Sequence, residues 1–351
     1  MKVLVIQQKM IGDVLASTVI CEALKSRFAN CEVHYMIRRH TRPVVENNPY
    51  IDRIVEFEPS KKGGLAELVK FGKSLRKENY DAVIDAYGKW ESIIPGFFSG
   101  AATRIGVRKW YTQLLFTKTI VPKQNIEGSA IYHRLQLAEA LTGTLSTIAF
   151  PQIFLTDEEK TEGLADIRKF IPENRSAVMI SILGSAENKS LPDAYMARLM
   201  DIAAHSGPVS LLVNFMPKQR VHAQRIVSLC KPETRAITVM DCYQDSLRGF
   251  LAVLAHCDAL IGNEGGAVNM AKALNIPTFT VFSPWVNKES WNMLSGANHE
   301  AVHLRDFEPE VYNGRHAKEF GKQAMELYKK LDPALYAERL RDFVIRISSR
   351  I

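Results

Sequence analysis

Short runs of β-branched and aliphatic residues alternate along the chain with longer stretches in which apolar positions recur every three or four residues. The runs Val3–Ile6, Glu32–Ile37, Arg53–Phe57 and Ala82–Asp85 predict strands in the first half. Ala177–Leu183, Val209–Asn214, Ile237–Met240, Ala259–Gly262 and Thr278–Phe282 predict strands in the second. The intervening segments Asp13–Phe28, Leu65–Glu78, Pro192–His205, Gln219–Cys230, Leu247–Ala255 and Ala267–Leu274 carry helical spacing. Alternation of strand and helix implies parallel sheets covered on both faces. The pattern restarts near Ala177, after a polar helical stretch holding Asp157, Glu158, Glu159 and Lys160. The expected architecture is therefore α/β, with two Rossmann-like, doubly wound domains at 1–160 and 172–330 and a terminal helix at 331–351. Ligands of such sheets bind beyond the carboxyl ends of the strands, so two domains facing each other there would enclose a cleft.

Composition narrows the class. The 351 residues are 46% hydrophobic and 24% charged, which excludes a disordered or collagen-like chain and suits about two domains. No apolar run approaches the ~20 residues needed to span a bilayer. Val3–Ile6 is too short for the core of a signal peptide, so a cytoplasmic protein is expected. The cysteines at 21, 31, 230, 242 and 257 form no CxxC pair and read as reduced thiols, without a disulfide framework or a zinc site. The net charge of +7 is uneven: residues 1–150 hold 21 Lys and Arg against 14 Asp and Glu, and the remainder holds 24 of each. Such a bias suits an anionic partner on the first domain, or a solvated basic surface. Nucleic acid is the weakest of these partners, because the bases come in small groups without a recognisable binding motif.

Three loops after strands carry candidate chemistry. The first, Gln7 to Asp13, lacks the glycines of a dinucleotide or P-loop site but sets Asp13 at a helix start. Asp13 reads either as a helix N-cap or as a general base for an acceptor hydroxyl. The second runs Gly262-Asn263-Glu264-Gly265-Gly266-Ala267 from an apolar strand into a helix. Its glycines admit close backbone approach, the helix start attracts phosphate, and Glu264 could bind a sugar hydroxyl; a plain tight turn is the alternative. The third is Gly184-Ser185-Ala186-Glu187-Asn188-Lys189, where a hydroxyl, amides and a lysine could hold a diphosphate. The nine histidines show no metal-ligand spacing, and no serine sits in a GxSxG elbow. Trp285 and Trp291 read as packing residues of the last strand-end loop.

These segments, in their order and spacing, resemble the bacterial ADP-heptose:lipopolysaccharide heptosyltransferases, glycosyltransferase family 9. Met1 to Ile6 followed by Gly12-Asp13 resembles that family's opening strand and "GD" turn. Asn48-Pro49-Tyr50-Ile51-Asp52 matches its "NPYID", Tyr80 to Asp85 its "YDxVID" strand, and Thr103-Arg104-Ile105-Gly106 its "xRIG" turn. Gly262 to Gly266, running on through Ala273-Leu274-Asn275-Ile276-Pro277-Thr278, matches "GNDGGxxHxAxALGIPT", and Val281 to Pro284 matches "LFGP". The resemblance spans roughly residues 1–300.

The resemblance implies a GT-B fold and an inverting transfer of heptose from ADP-heptose to a sugar of the lipopolysaccharide core, with no metal and no cofactor beyond the donor. It makes Asp13 the general base and Lys189 the lysine of a "KxWP" segment on the donor diphosphate. Gly184, Ser185, Gln219, Glu264, Gly265, Gly266 and Asn269 fall at donor-binding positions. Gly12, Lys61, Lys62, Arg104 and Arg108 are candidates for an acidic acceptor anchored in the inner membrane, with the protein peripheral at its inner face. The departures gather on the donor side: Glu264 replaces an Asp, Asn269 a His, Leu191 the Trp of "KxWP", and Gln219 stands nearest the usual ribose-binding Glu. Two alternatives follow: a related transferase with another sugar nucleotide or surface-glycan acceptor, or a catalytically silent sugar-nucleotide or glycan-binding protein.

Overall fold

The structure is a computed structural model describing residues 1–60, 63–111, 113–122, 129–145, 150–292 and 294–349. The chain divides into two compact units, Met1–Phe154 with Glu289–Met293, and Leu155–Lys288 with Leu294–Ile351.

The first unit holds a six-stranded sheet of β1 (Lys2–Ile6), β2 (Glu32–Ile37), β3 (Arg53–Glu56), β4 (Ala82–Asp85), β5 (Thr103–Val107) and β6 (Lys118–Ile120). The order is β3-β2-β1-β4-β5-β6 and all pairs are parallel. β1 lies centrally, and its Val3 to Ile6 are fully buried, which explains an unbroken apolar run rather than an alternating one. The helices are α1 (Ile11–Arg27), α2 (Gly64–Ser74), α3 (Trp90–Phe98) and α4 (Ser129–Thr142). β5, β6, α3 and α4 lie beyond the sequence reading. β5 interrupts its apolar residues with Arg104 and Gly106, β6 is a three-residue edge strand, and α3 contains Pro95 and Gly96, residues that ordinarily mark loops.

The second unit repeats the plan with β7 (Ser176–Ser181), β8 (Val209–Asn214), β9 (Thr238–Val239), β10 (Ala259–Asn263), β11 (Thr278–Val281) and β12 (His299–Val302). The order is β12-β11-β10-β7-β8-β9, again parallel throughout. Its helices are α5 (Asp157–Arg168), α6 (Asp193–Ala204), α7 (Arg220–Ser228), α8 (Pro232–Ala236), α9 (Leu247–Leu254), α10 (Gly266–Ala273), α11 (Lys288–Trp291), α12 (Ala324–Lys330) and α13 (Ala337–Ser348).

The polar stretch around Asp157 is α5, and it belongs to the second unit. Thr156 Oγ1 accepts from the Glu159 amide at 3.2 Å while the Glu159 carboxylate accepts from the Thr156 amide at 2.8 Å, a reciprocal cap. Glu159 also pairs with Arg248 of α9. Gly163 admits the close approach of the two helices, because a Cβ there would lie 2.3 Å from Ala252 O. The terminal helix begins at Ala337, later than 331, behind a 3-10 turn at Pro333–Tyr336. It buries Phe343, Val344 and Ile347 in the core of the second unit.

Strand order reverses on either side of β1 and of β7, so each sheet has its topological switch point where β1 meets β4 and where β7 meets β10. Register places Ile6 beside Asp85 and Gly262 beside Ser181. Gly262 has φ +130°, and a Cβ there would lie 2.5 Å from Ser181 O. The Gly262→Ala substitution is therefore expected to cost roughly 2–4 kcal/mol in chemical denaturation, from strain and backbone overlap together. A loss below about 1 kcal/mol would show that the strands can part at this point.

Candidate active site

In the first unit the loop leaving β1 is pinned by its own amides. Gln7 Nε2 donates to Ala86 O at 3.1 Å and Gln8 Nε2 to Phe57 O at 2.8 Å. Both glutamines are buried, so the loop is tied to β3 and β4 rather than left in solvent. α1 starts at Ile11, and its N-cap is Met10 in extended backbone, with no side-chain cap bond. The N-cap reading of Asp13 is thereby corrected: it is the third residue of the helix, and its carboxylate points elsewhere.

Asp13 is 8% exposed, and its carboxylate faces two cations. Arg134 Nη2 of α4 lies 3.1 Å from Oδ1 and Lys9 Nζ 3.4 Å from the same atom. Among the described residues no donor is bonded to Oδ2, which leaves one oxygen to take a proton. Arg134 also donates through Nε to Ser17 Oγ at 2.7 Å and through Nη1 to Ala130 O. Burial lowers the pKa of this guanidinium and the Asp13 charge opposes that fall. Nearby, Asp85 is fully buried at the end of β4 and pushed up to about 6 by its burial. Its oxygens accept from the Tyr87 and Gly88 amides at 2.9 and 2.7 Å and from Ser92 Oγ at 2.8 Å, which shapes the loop beside Gln7.

Of the expected acceptor contacts, Gly12 lies in the first turn of α1 beside Asp13. Arg108 is exposed just beyond β5, with Nε 3.3 Å from Thr119 Oγ1. Arg104 is employed internally. Its Nε and Nη1 donate to Leu115 O and Ala101 O at 3.1 and 2.6 Å, and its guanidinium lies 5.3 Å from the Phe97 ring centroid. It braces the segments on either side of β5, because backbone carbonyls outside the ladder need donors. Lys61 and Lys62 lie outside the described residues.

The second unit gathers its groups at the β7–β10 switch point. Gly184 fits the loop after β7 because a Cβ would lie 2.1 Å from Lys189 O. Its amide donates to Ser190 Oγ at 2.9 Å, and Gln219 Nε2 donates to its carbonyl at 3.2 Å. Gln219 is thus bound to the loop itself. Ser185 is exposed at the loop's tip. Lys189 ends a one-turn 3-10 helix, with Nζ 5.5 Å from the Trp285 ring centroid and 3.7 Å from Glu264 Oε1. That separation makes an ion pair but exceeds a hydrogen bond, and Glu264 Oε1 is buried without a hydrogen-bond partner. Burial raises the Glu264 pKa, and the Lys189 charge partly offsets the rise. Gly265 precedes α10 with φ +154°, Gly266 opens it, and no atom lies within 4 Å of a Cβ built on either. The first amides of α10 have no intrahelical partner, as at any helix start. Asn269 follows within α10, half-buried.

A sequence description of glycosyltransferase family 9 (heptosyltransferase) matches residues 68–313, well over half of the chain. The chain is a family 9 glycosyltransferase. This glycosyltransferase is 23% identical over 296 residues to lipopolysaccharide heptosyltransferase 1 of Campylobacter coli, covering 80% of this chain and 84% of its relative. It is 22% identical over 310 residues to lipopolysaccharide heptosyltransferase 2 of Escherichia coli, covering 81% and 83%. Among solved structures, a family 9 glycosyltransferase of Veillonella parvula has a TM-score of 0.74 at 16% identity, over 94% of this chain and 97% of that one. ADP-heptose lipopolysaccharide heptosyltransferase II of Escherichia coli has a TM-score of 0.70 at 19% identity, over 94% and 99%. At these identities the structural likenesses establish the fold, which is GT-B.

Three residues that organise this glycosyltransferase's loops escape a reading by motif. Arg134 lies 121 residues from Asp13, in a helix the local pattern does not announce. Asn263 stands inside the glycine-rich motif but has no assigned role there; it is fully buried and works as a staple. Its Oδ1 accepts from the Leu191 amide at 2.8 Å and its Nδ2 donates to Ser181 O and Ile182 O at 3.1 and 2.9 Å. Trp285, read as packing, donates its indole N–H to Asn188 O at 2.7 Å while its ring carries the Lys189 ammonium.

Proposed function

We propose that this glycosyltransferase moves heptose from ADP-heptose to a sugar of the lipopolysaccharide core, with inversion at the anomeric carbon and without a metal ion. The second unit holds the donor. The Lys189 ammonium and the free amides at the start of α10 meet the diphosphate and stabilise the charge that grows on it as the glycosidic bond breaks. This assigns to protein groups the neutralisation that a divalent ion would otherwise supply, so transfer should survive a chelator. The first unit holds the acceptor. Asp13 takes the acceptor's hydroxyl proton on Oδ2 as the oxygen attacks, while Arg134 fixes the carboxylate. The basic bias of residues 1–150 suits an acceptor rich in carboxylate and phosphate, met at the inner face of the inner membrane from the cytoplasm.

The observation that carries the donor half is the Lys189–Glu264 pair at the start of α10, a partnered cation with no hydrogen bond to its carboxylate, beside the helix's first amides. The test is thermal stability with ADP, UDP, GDP, CDP and ADP-heptose, wild type beside Lys189→Ala. At about 100 times Kd a ligand adds about 2.7 kcal/mol, so selective stabilisation by ADP and ADP-heptose is expected, and its loss in the variant. No response to any nucleotide would refute the donor site.

A second reading keeps the chemistry and changes the sugar. Glu264 reaches one methylene further than the Asp usual in family 9, and its Oε1 has no hydrogen-bond partner here. Stabilisation by another nucleotide, or by ADP but not ADP-heptose, would favour it.

A further inference from the structure

The connection between β5 and β6 carries apolar side chains for which the fold has no use. Trp110 is 86% exposed and Leu114 is 91% exposed. Tyr111 beside them and Trp90 at the start of α3 are exposed as well. The rings touch: Trp90 and Tyr111 centroids lie 5.9 Å apart, Trp110 and Tyr111 5.5 Å. Single exposed apolar residues are ordinary, but two tryptophans and a tyrosine in ring contact, with an exposed leucine in the same connection, mark a surface meant to be covered.

The surroundings say by what. Arg108 and Lys89 are exposed at the foot of the patch, and Lys109 is anchored there by donating from Nζ to Gly88 O at 2.6 Å. Residues 108–118 contain no Asp or Glu. The nearest acidic residue of α3, Glu91, is paired with Arg38 at 3.0 Å. Tryptophan and tyrosine favour the boundary between hydrocarbon and water, a protruding leucine favours hydrocarbon, and a ring of bases favours anionic head groups. The loop also leaves the carboxyl end of β5, the same sheet edge at which β1 delivers Asp13.

We propose that Trp90, Trp110, Tyr111 and Leu114 form a wedge that inserts into the surface of an anionic lipid bilayer, with Lys89, Arg108 and Lys109 against its head groups. The wedge holds the Asp13 edge of the first unit at the membrane, where an amphiphilic acceptor presents its sugars. It rests on the proposed reading of the acceptor, but its test requires no transfer.

The experiment is cosedimentation of the full chain with vesicles of phosphatidylglycerol and phosphatidylethanolamine, and separately of phosphatidylcholine alone. Wild type should partition to the anionic vesicles, and Trp110→Ser combined with Leu114→Ser should lower that partitioning by roughly tenfold or more. Lipids brominated near the head group should quench wild-type tryptophan emission. Trp90→Phe combined with Trp110→Phe, which keeps both apolar rings, should still bind yet lose most of that quenching, and this arm stands even if the double serine variant folds poorly. Equal partitioning of the double serine variant, equal binding to neutral vesicles, or no binding by wild type would overturn the proposal. So would concentration-dependent self-association in sedimentation velocity that the double serine variant abolishes, which would give the patch to a second copy. Stabilisation by ADP reports on the donor site alone, so its absence beside intact vesicle binding would sink the functional reading and leave the wedge standing.

Discussion

Asp13→Asn is expected to lower the rate of transfer by roughly 10²–10⁴-fold, the usual contribution of a positioned general base. The amide keeps the shape of the side chain and removes the oxygen that takes the proton. The loss should fall on kcat, because in the proposed mechanism the carboxylate acts as the acceptor hydroxyl loses its proton rather than while it binds. Stabilisation by ADP should be unchanged, since the groups assigned to the donor lie on the second unit. The measurement is steady-state kinetics at a temperature where both proteins are folded, with nucleotide stabilisation run in parallel. Transfer within about threefold of wild type would remove Asp13 from the base position.

Arg134→Met is the second large effect, and it falls first on stability. The guanidinium is buried, and it joins α4 to α1 through Asp13, Ser17 and the Ala130 carbonyl. Removing one member of a buried pair leaves the other charge poorly compensated, at a cost of about 3–5 kcal/mol. Lys9 remains 3.4 Å from the carboxylate, but its own side chain is 57% exposed, so solvent screens most of what it could recover. Chemical denaturation of Arg134→Met, of Asp13→Asn and of the double variant closes a cycle. The double variant should cost less than the two single changes together, because removing both members of the pair leaves no stranded charge. Additive losses would mean that Arg134 acts only through Ser17 and Ala130. Arg134 is a positioning residue, so activity that survives in the folded variant should show a lower kcat with little change in KM.

The two results separate what local pattern can and cannot announce. The central strands β1, β2, β4, β8 and β10 were legible because burial on both faces demands continuous apolar runs. β5, β6 and β12 were not: β5 carries Arg104 and Gly106 within its short run, and the edge strands Lys118–Ile120 and His299–Val302 take strand form only through their neighbours. Helix α3 was hidden by Pro95 and Gly96 within it. The glycines at 262 and 265 were read as admitting close approach of a ligand and Gly184 as part of a diphosphate-holding loop; in the fold Gly184 makes room for the Lys189 carbonyl, Gly262 for the Ser181 carbonyl, and Gly265 leaves an open helix start.

Side-chain roles were harder. Arg104 lay in a motif and next to other bases, and charge alone suggested an anionic contact. Its guanidinium instead serves two carbonyls in the segments that precede and follow β5. Trp285 looked like packing and turns out to set the Lys189 loop through its N–H. Arg134 carried no signal, because its importance lies in a contact across 121 residues.

By itself, then, the sequence determined the α/β class, the repeated sheet plan and which loops after strands bear glycine, lysine and carboxylate, because these follow from periodicity and from backbone needs a few residues long. Only the tertiary structure decided that Asp13 faces Arg134 rather than capping α1, that Asn263 staples the loop after β7 and that Trp110 and Leu114 stand clear of the fold. Each of these depends on which distant groups are brought together or left uncovered, and that is set by packing.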